Sequence, residues 1–65
     1  MNRELAIKLL TVPQAAEALG VKSSTIRAWL LRRRLEFVRC GRAIRISSEV
    51  IERFIEENTV PAKSK

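Results

Sequence analysis

Between Val21 and Ser48 the chain carries Lys22, Arg27, Arg32, Arg33, Arg34, Arg39, Arg42 and Arg45 against a single acid, Glu36. Cations at that density, with so little internal counter-charge, are suited to displacing counterions from a polyanion. Eight cations against one acid give this segment +7, whereas the rest of the 65-residue chain carries −1 of the total +6. Positive charge is therefore gathered on one contiguous stretch, as nucleic-acid binding requires, although a basic surface kept for solubility has the same composition. Interleaved with the cations are Ser23, Ser24, Thr25 and Ala28, short or hydrogen-bonding side chains thin enough to approach base edges.

The missing residues narrow the chemistry further. There is no His, no Asp and no Tyr, and all seven acids are Glu. Ser/His/Asp and Cys/His nucleophile systems, a tyrosine nucleophile and metal clusters are thereby excluded. The single Cys40 can form no internal disulfide, which agrees with a reducing compartment, and one thiol without a partner reads as a small strand or turn residue. A chain of this length encloses only a modest core, so neither an enzyme nor a cofactor or small-molecule site is expected. With 46% hydrophobic and 31% charged residues it is too apolar to stay unfolded. It has no run of about 18 apolar residues that would span a membrane. The N-terminal MNRELAIKLL, interrupted by Arg3, Glu4 and Lys8, lacks the apolar centre of a secretory signal, and a cytoplasmic location is expected.

The elements that must position these cations can be traced along the chain. Residues 1–8 show no sustained period and read as a flexible lead-in, after which Leu9 and Leu10 return to the core. Thr11 and Gln14 have capping-box spacing, Pro13 falls in the first turn, and Val12, Ala15, Ala16 and Leu19 recur as one apolar stripe, predicting a helix over 12–19. Gly20 supplies the positive φ that ends it. A second helix is predicted over about 24–33, capped by Ser23 or Ser24, with Ile26, Trp29 and Leu30 inward. Ser24, Thr25, Arg27, Ala28, Leu31 and Arg32 are then outward. Ala16, Gly20 four residues on and Ile26 six further have helix-turn-helix spacing. Arg27 suits either a bidentate contact to guanine or a phosphate, and Arg32, Arg33 and Arg34, at the far end, suit phosphates. Trp29 shares the face of Ile26 and Leu30 and belongs to the core rather than to a base-stacking platform.

From Glu36 the period turns toward two. EFVRCGRAIRI predicts a hairpin around Cys40, Gly41 and Arg42, with Ile44 and Ile46 on one face and Arg45 on the other. A two-residue loop would put Phe37 on the isoleucine face and a three-residue loop Val38. Either way the tip is basic: Arg39, Arg42 and Arg45 could clamp a neighbouring backbone or enter a minor groove, and one of them could instead cover an apolar edge with its stem. Ser47 or Ser48 caps a third helix with Glu49 in its first turn, Val50, Ile51, Phe54 and Ile55 as its buried stripe and Asn58 as its stop. Glu52, Glu56 and Glu57 with Arg53 make its outer face acidic, a solvated surface or a contact for a protein. The domain is expected over 9–58, with a disordered tail over 59–65.

LLTVPQAAEALGV, SSTIRAWL, LEFVRCGRAIRI and the closing amphipathic helix together resemble the excisionase and MerR-like winged helix-turn-helix domains over about residues 9–57. The resemblance implies a mainly α fold with a small β-hairpin, in the order α-α-β-β-α. It also implies that Ser23, Ser24, Thr25 and Arg27 meet the major groove of double-stranded DNA, and that Arg39, Gly41, Arg42 and Arg45 form the wing on flanking DNA. Lys22 stands where the family usually has a small capping Ser or Thr, and Ala43 and Ile44 where larger or aromatic residues are common. The dimerisation helix and effector domain of full-length MerR-type regulators do not fit in this length. The resemblance therefore implies the small excisionases, architectural proteins that bend DNA beside an integrase on a mobile element. An AlpA-like transcriptional regulator uses the same parts. A protein-interaction module, such as an adaptor or antitoxin working through the third helix and tail, is the reading from another class. Without a zipper the chain is expected to be a monomer in solution, with neighbouring copies meeting only on DNA.

Overall fold

The computed structural model describes residues 7–62, in the order β1 (Leu9–Leu10), α1 (Val12–Leu19), α2 (Ser23–Leu31), β2 (Val38–Cys40), β3 (Ala43–Ser47) and α3 (Ser48–Asn58). The lead-in over 1–6 and the tail over 63–65 lie outside the described residues. Helix α1 forms for the reasons its sequence gave. Thr11 Oγ1 accepts from the Gln14 N–H at 3.2 Å while Gln14 Oε1 accepts from the Thr11 N–H at 2.9 Å, and Pro13 falls in the first turn. At its other end Gly20, at φ 70°, brings its own N–H to Glu17 O and the Val21 N–H to Ala16 O, satisfying carbonyls that the helix leaves open.

The core is assembled from one stripe of each element: Val12, Ala15 and Ala16 of α1, Ile26 and Leu30 of α2, Leu35 from the following loop, Ile46 of β3 and Ile51 of α3. Ala15 and Ala16 are buried without bulk, which lets α1 and α2 pack closely across the Gly20 corner. Trp29 is half-buried, its ring 5.1 Å from that of Phe54, and so joins α2 to α3 as a packing residue.

A third strand accompanies the expected hairpin. The sheet order is β1-β3-β2, all antiparallel, with Leu9 opposite Ser47 and Leu10 opposite Ile46. Two residues are too few to carry an alternation, so the sequence offered no sign of β1. Lys8, assigned by its sequence to the lead-in, is tied to α3: its carbonyl accepts from the Ser48 N–H at 2.8 Å and its N–H donates to Ser48 Oγ. Leu10 packs against the core, but Leu9 points out at 47% exposure, because consecutive strand residues face opposite sides. Ser47, not Ser48, caps α3. Ile51 is buried with Val50 and Phe54 against the core, whereas Ile55, expected in the stripe, is 46% exposed. Residues 59–62 follow α3 without regular structure and are exposed.

Candidate nucleic-acid interface

Helix α2 begins one residue earlier than its sequence implied. Lys22 (φ −80°, ψ 153°) is the capping residue, and its carbonyl accepts from the N–H groups of Thr25 and Ile26 at 2.9 and 3.2 Å. A lysine stem has no oxygen to offer the first turn, so no side chain caps this helix. The serines expected to cap are instead inside the first turn, with Ser24 exposed and Ser23 half-buried. The start of α2 therefore presents uncapped N–H groups, two serine hydroxyls and no acid, an environment that favours anions.

The helix also ends earlier, at Leu31, in a turn made by the three arginines. Arg33 adopts φ 61°, its N–H reaches Leu30 O at 3.1 Å, and the Arg34 N–H reaches Trp29 O at 2.8 Å. This is the same closing arrangement that Gly20 makes for α1, with an arginine in the left-handed position. The turn sends the side chains apart. Arg34 lies over the Trp29 ring, its guanidinium carbon 6.0 Å from the centroid, and lines a pocket with Val50, Phe54 and Glu57 of α3. Arg33 instead lines a groove between α2 and the hairpin, and Arg32 is exposed at the helix end.

In the hairpin Cys40 faces Ala43, Arg39 faces Ile44 and Val38 faces Arg45, leaving Gly41 and Arg42 as a two-residue loop. Gly41 at φ 64° supplies the positive φ needed at the first loop position, while Arg42 stays at negative φ. A side chain at Gly41 would meet nothing within 4 Å, so conformation and not space requires glycine there. This register settles which residue faces inward: Phe37 packs on the core and Val38 is exposed. It also turns Arg39 to the Phe37 and Ile44 side, with its guanidinium 5.9 Å from the Phe37 centroid. Arg45 is half-buried and donates to Ile44 O at 2.9 Å, while Cys40 is exposed at the strand end.

These placements bring most of the cations to shared ground. Arg27, exposed on α2, lines the groove of about 410 Å³ that also holds Arg33 and Arg39, and a second groove of about 260 Å³ that holds Arg42 and Arg45. One side chain thus borders both the end of α2 and the wing tip. Glu36, the only acid of the cationic segment, is drawn off toward α3, where it accepts from Arg53 Nη2 at 3.2 Å. Among the described residues no other ion pair occurs, so the groove arginines keep their charge unneutralised. Sequence reasoning left Leu31 as an outward residue with no role. It is 85% exposed and lines the same groove as Arg27 and Arg33. Its exposed position beside Arg27, one turn away, was the available signal. Among the described residues no group of three or more Cys or Glu side chains could hold a metal, and no helix is long and apolar enough to cross a membrane.

Two helices joined at a glycine corner, a basic hairpin beside the second and a third helix behind them make a winged helix-turn-helix. A family model described as a helix-turn-helix domain matches residues 9–59, and the chain belongs to that family. Binding DNA through the helix-turn-helix is what membership supports. No curated protein and no solved structure matches the chain.

Proposed function

We propose that the protein is a small architectural factor that binds double-stranded DNA at specific sites and assists the integrase of a mobile element as an excisionase, or recombination directionality factor. The observation that carries the reading is the position of Arg27, which borders one groove with Arg33 and Arg39 and another with Arg42 and Arg45. A duplex laid on that side would meet Ser23, Ser24, Thr25, Arg27 and Ala28 in its major groove, with Lys22 at the helix entry. The wing arginines and Gly41 would lie on the flanking backbone or minor groove, and Arg32 and Arg33 on phosphates. Arg34, over Trp29, would reach only a phosphate on the α3 side. The protein would steer strand exchange by shaping DNA while the recombinase cuts it.

Selection of bound sites from random duplexes, followed by a gel bending assay on the selected site, tests this. The expected result is a defined site that bends on binding. A defined site left straight would replace the architectural role by that of a small transcriptional regulator. If no duplex is bound even at low salt, a protein-interaction module takes its place.

A further inference from the structure

We propose that Leu31 is a base-reading residue, recognising the 5-methyl group of a thymine about two base pairs from the position Arg27 contacts. The inference rests on the DNA-binding reading above and adds to it which base chemistry the end of α2 selects. Leu31 is the last residue of α2 and 85% exposed, while its neighbour Leu30 is buried, so it contributes nothing to the core. It lies one turn from Arg27 on the same helix face, with Ala28 between them. It also borders the groove whose cations are Arg27, Arg33 and Arg39. An apolar spot surrounded by guanidinium groups fits a ligand that is anionic at its edges and carries a small apolar group at its centre. In the major groove, a thymine methyl between two phosphate chains has that pattern, and apolar contact with that methyl is one of the ways side chains single out T. Four helical residues advance about 6 Å, and base pairs step about 3.4 Å, so a helix lying along the groove sets the two contacts about two base pairs apart.

The test uses the full chain and the duplex obtained by site selection, with each thymine replaced singly by uracil, which removes only the methyl group. For the wild-type protein one uracil substitution should weaken binding about fourfold, the worth of one buried methyl. For Leu31→Ala that substitution should have no effect, and circular dichroism should show an unchanged fold. The proposal is overturned if the selected site holds no thymine, if no uracil substitution matters, or if the same one matters equally to both proteins. It is overturned as well if Leu31→Ala lowers affinity for every duplex alike, or if sedimentation shows the wild type to be a dimer that Leu31→Ala dissolves, since the leucine would then serve self-association. Wild-type protein that binds no duplex at all would instead strike the DNA-binding reading on which this one depends.

Discussion

Arg33 holds an L-residue in the left-handed region where a helix terminator is usually glycine, at a cost of about 1–2 kcal/mol. Glycine there would relieve the strain but would itself lose more freedom on folding. Arg33→Gly should therefore stabilise the domain by about 0.5–1 kcal/mol in urea denaturation while weakening DNA binding, because one groove cation is lost. A variant that gains stability and keeps full affinity would remove Arg33 from the interface. Gly20 gives the converse case. A Cβ there would meet nothing within 4 Å, so the penalty of Gly20→Ala is conformational and should be about 1 kcal/mol in the same measurement. Gly20 announced its turn because glycine is the residue that accepts positive φ cheaply. Arg33 gave no such sign, and the helix that its sequence extends through Arg33 stops at Leu31.

At the scale of elements, α1 and its corner were legible because several local signals agree: a capping box, a proline in the first turn, one apolar stripe and a terminal glycine. Thr11→Ala removes one half of that box and should cost about 1 kcal/mol, read as a lowered denaturation midpoint with an unchanged slope. Ile26→Ala empties the centre of the α1–α2 contact, where the side chain is fully buried. It should cost about 2–5 kcal/mol, enough to unfold much of a domain this small, as circular dichroism would report. The wing was legible as a hairpin but not in its register, since the strand pattern around Gly41 accepts a loop of two residues or three. What decides it is the burial of Phe37, a tertiary event that local alternation does not encode. The start of α2 lies one residue from its sequence-based place: Ser23 and Ser24 have capping side chains but stand inside the first turn, and Lys22, which offers no capping oxygen, precedes it. The candidate interface depends on the hairpin register, which turns Arg39 toward Phe37, and on the turn closing α2, which parts Arg33 from Arg34.

For the whole molecule the decisive feature is how charge is distributed over the fold. Helix α3 packs behind the helix pair and the sheet, keeps Glu52, Glu56 and Glu57 exposed, and holds Glu36 through Arg53. That exposed pair adds little stability, but it engages the one acid of the cationic segment with Arg53. Glu52→Gln should accordingly leave DNA affinity unchanged at about 150 mM salt, where charges farther apart than a Debye length are screened. The total charge of +6 was legible from composition, and its concentration between Val21 and Ser48 from the sequence. That Arg27 borders both the helix-end and wing-tip cations required the fold. The most direct test of that common face is the salt dependence of binding to the selected duplex, measured by fluorescence anisotropy for the wild type and for Arg27→Ala with Arg42→Ala. With about five phosphates neutralised, the wild-type slope of log K against log salt should be roughly −4 to −5, and the double variant should bind more weakly with a slope shallower by about two. An unchanged slope and affinity in the double variant would contradict the account.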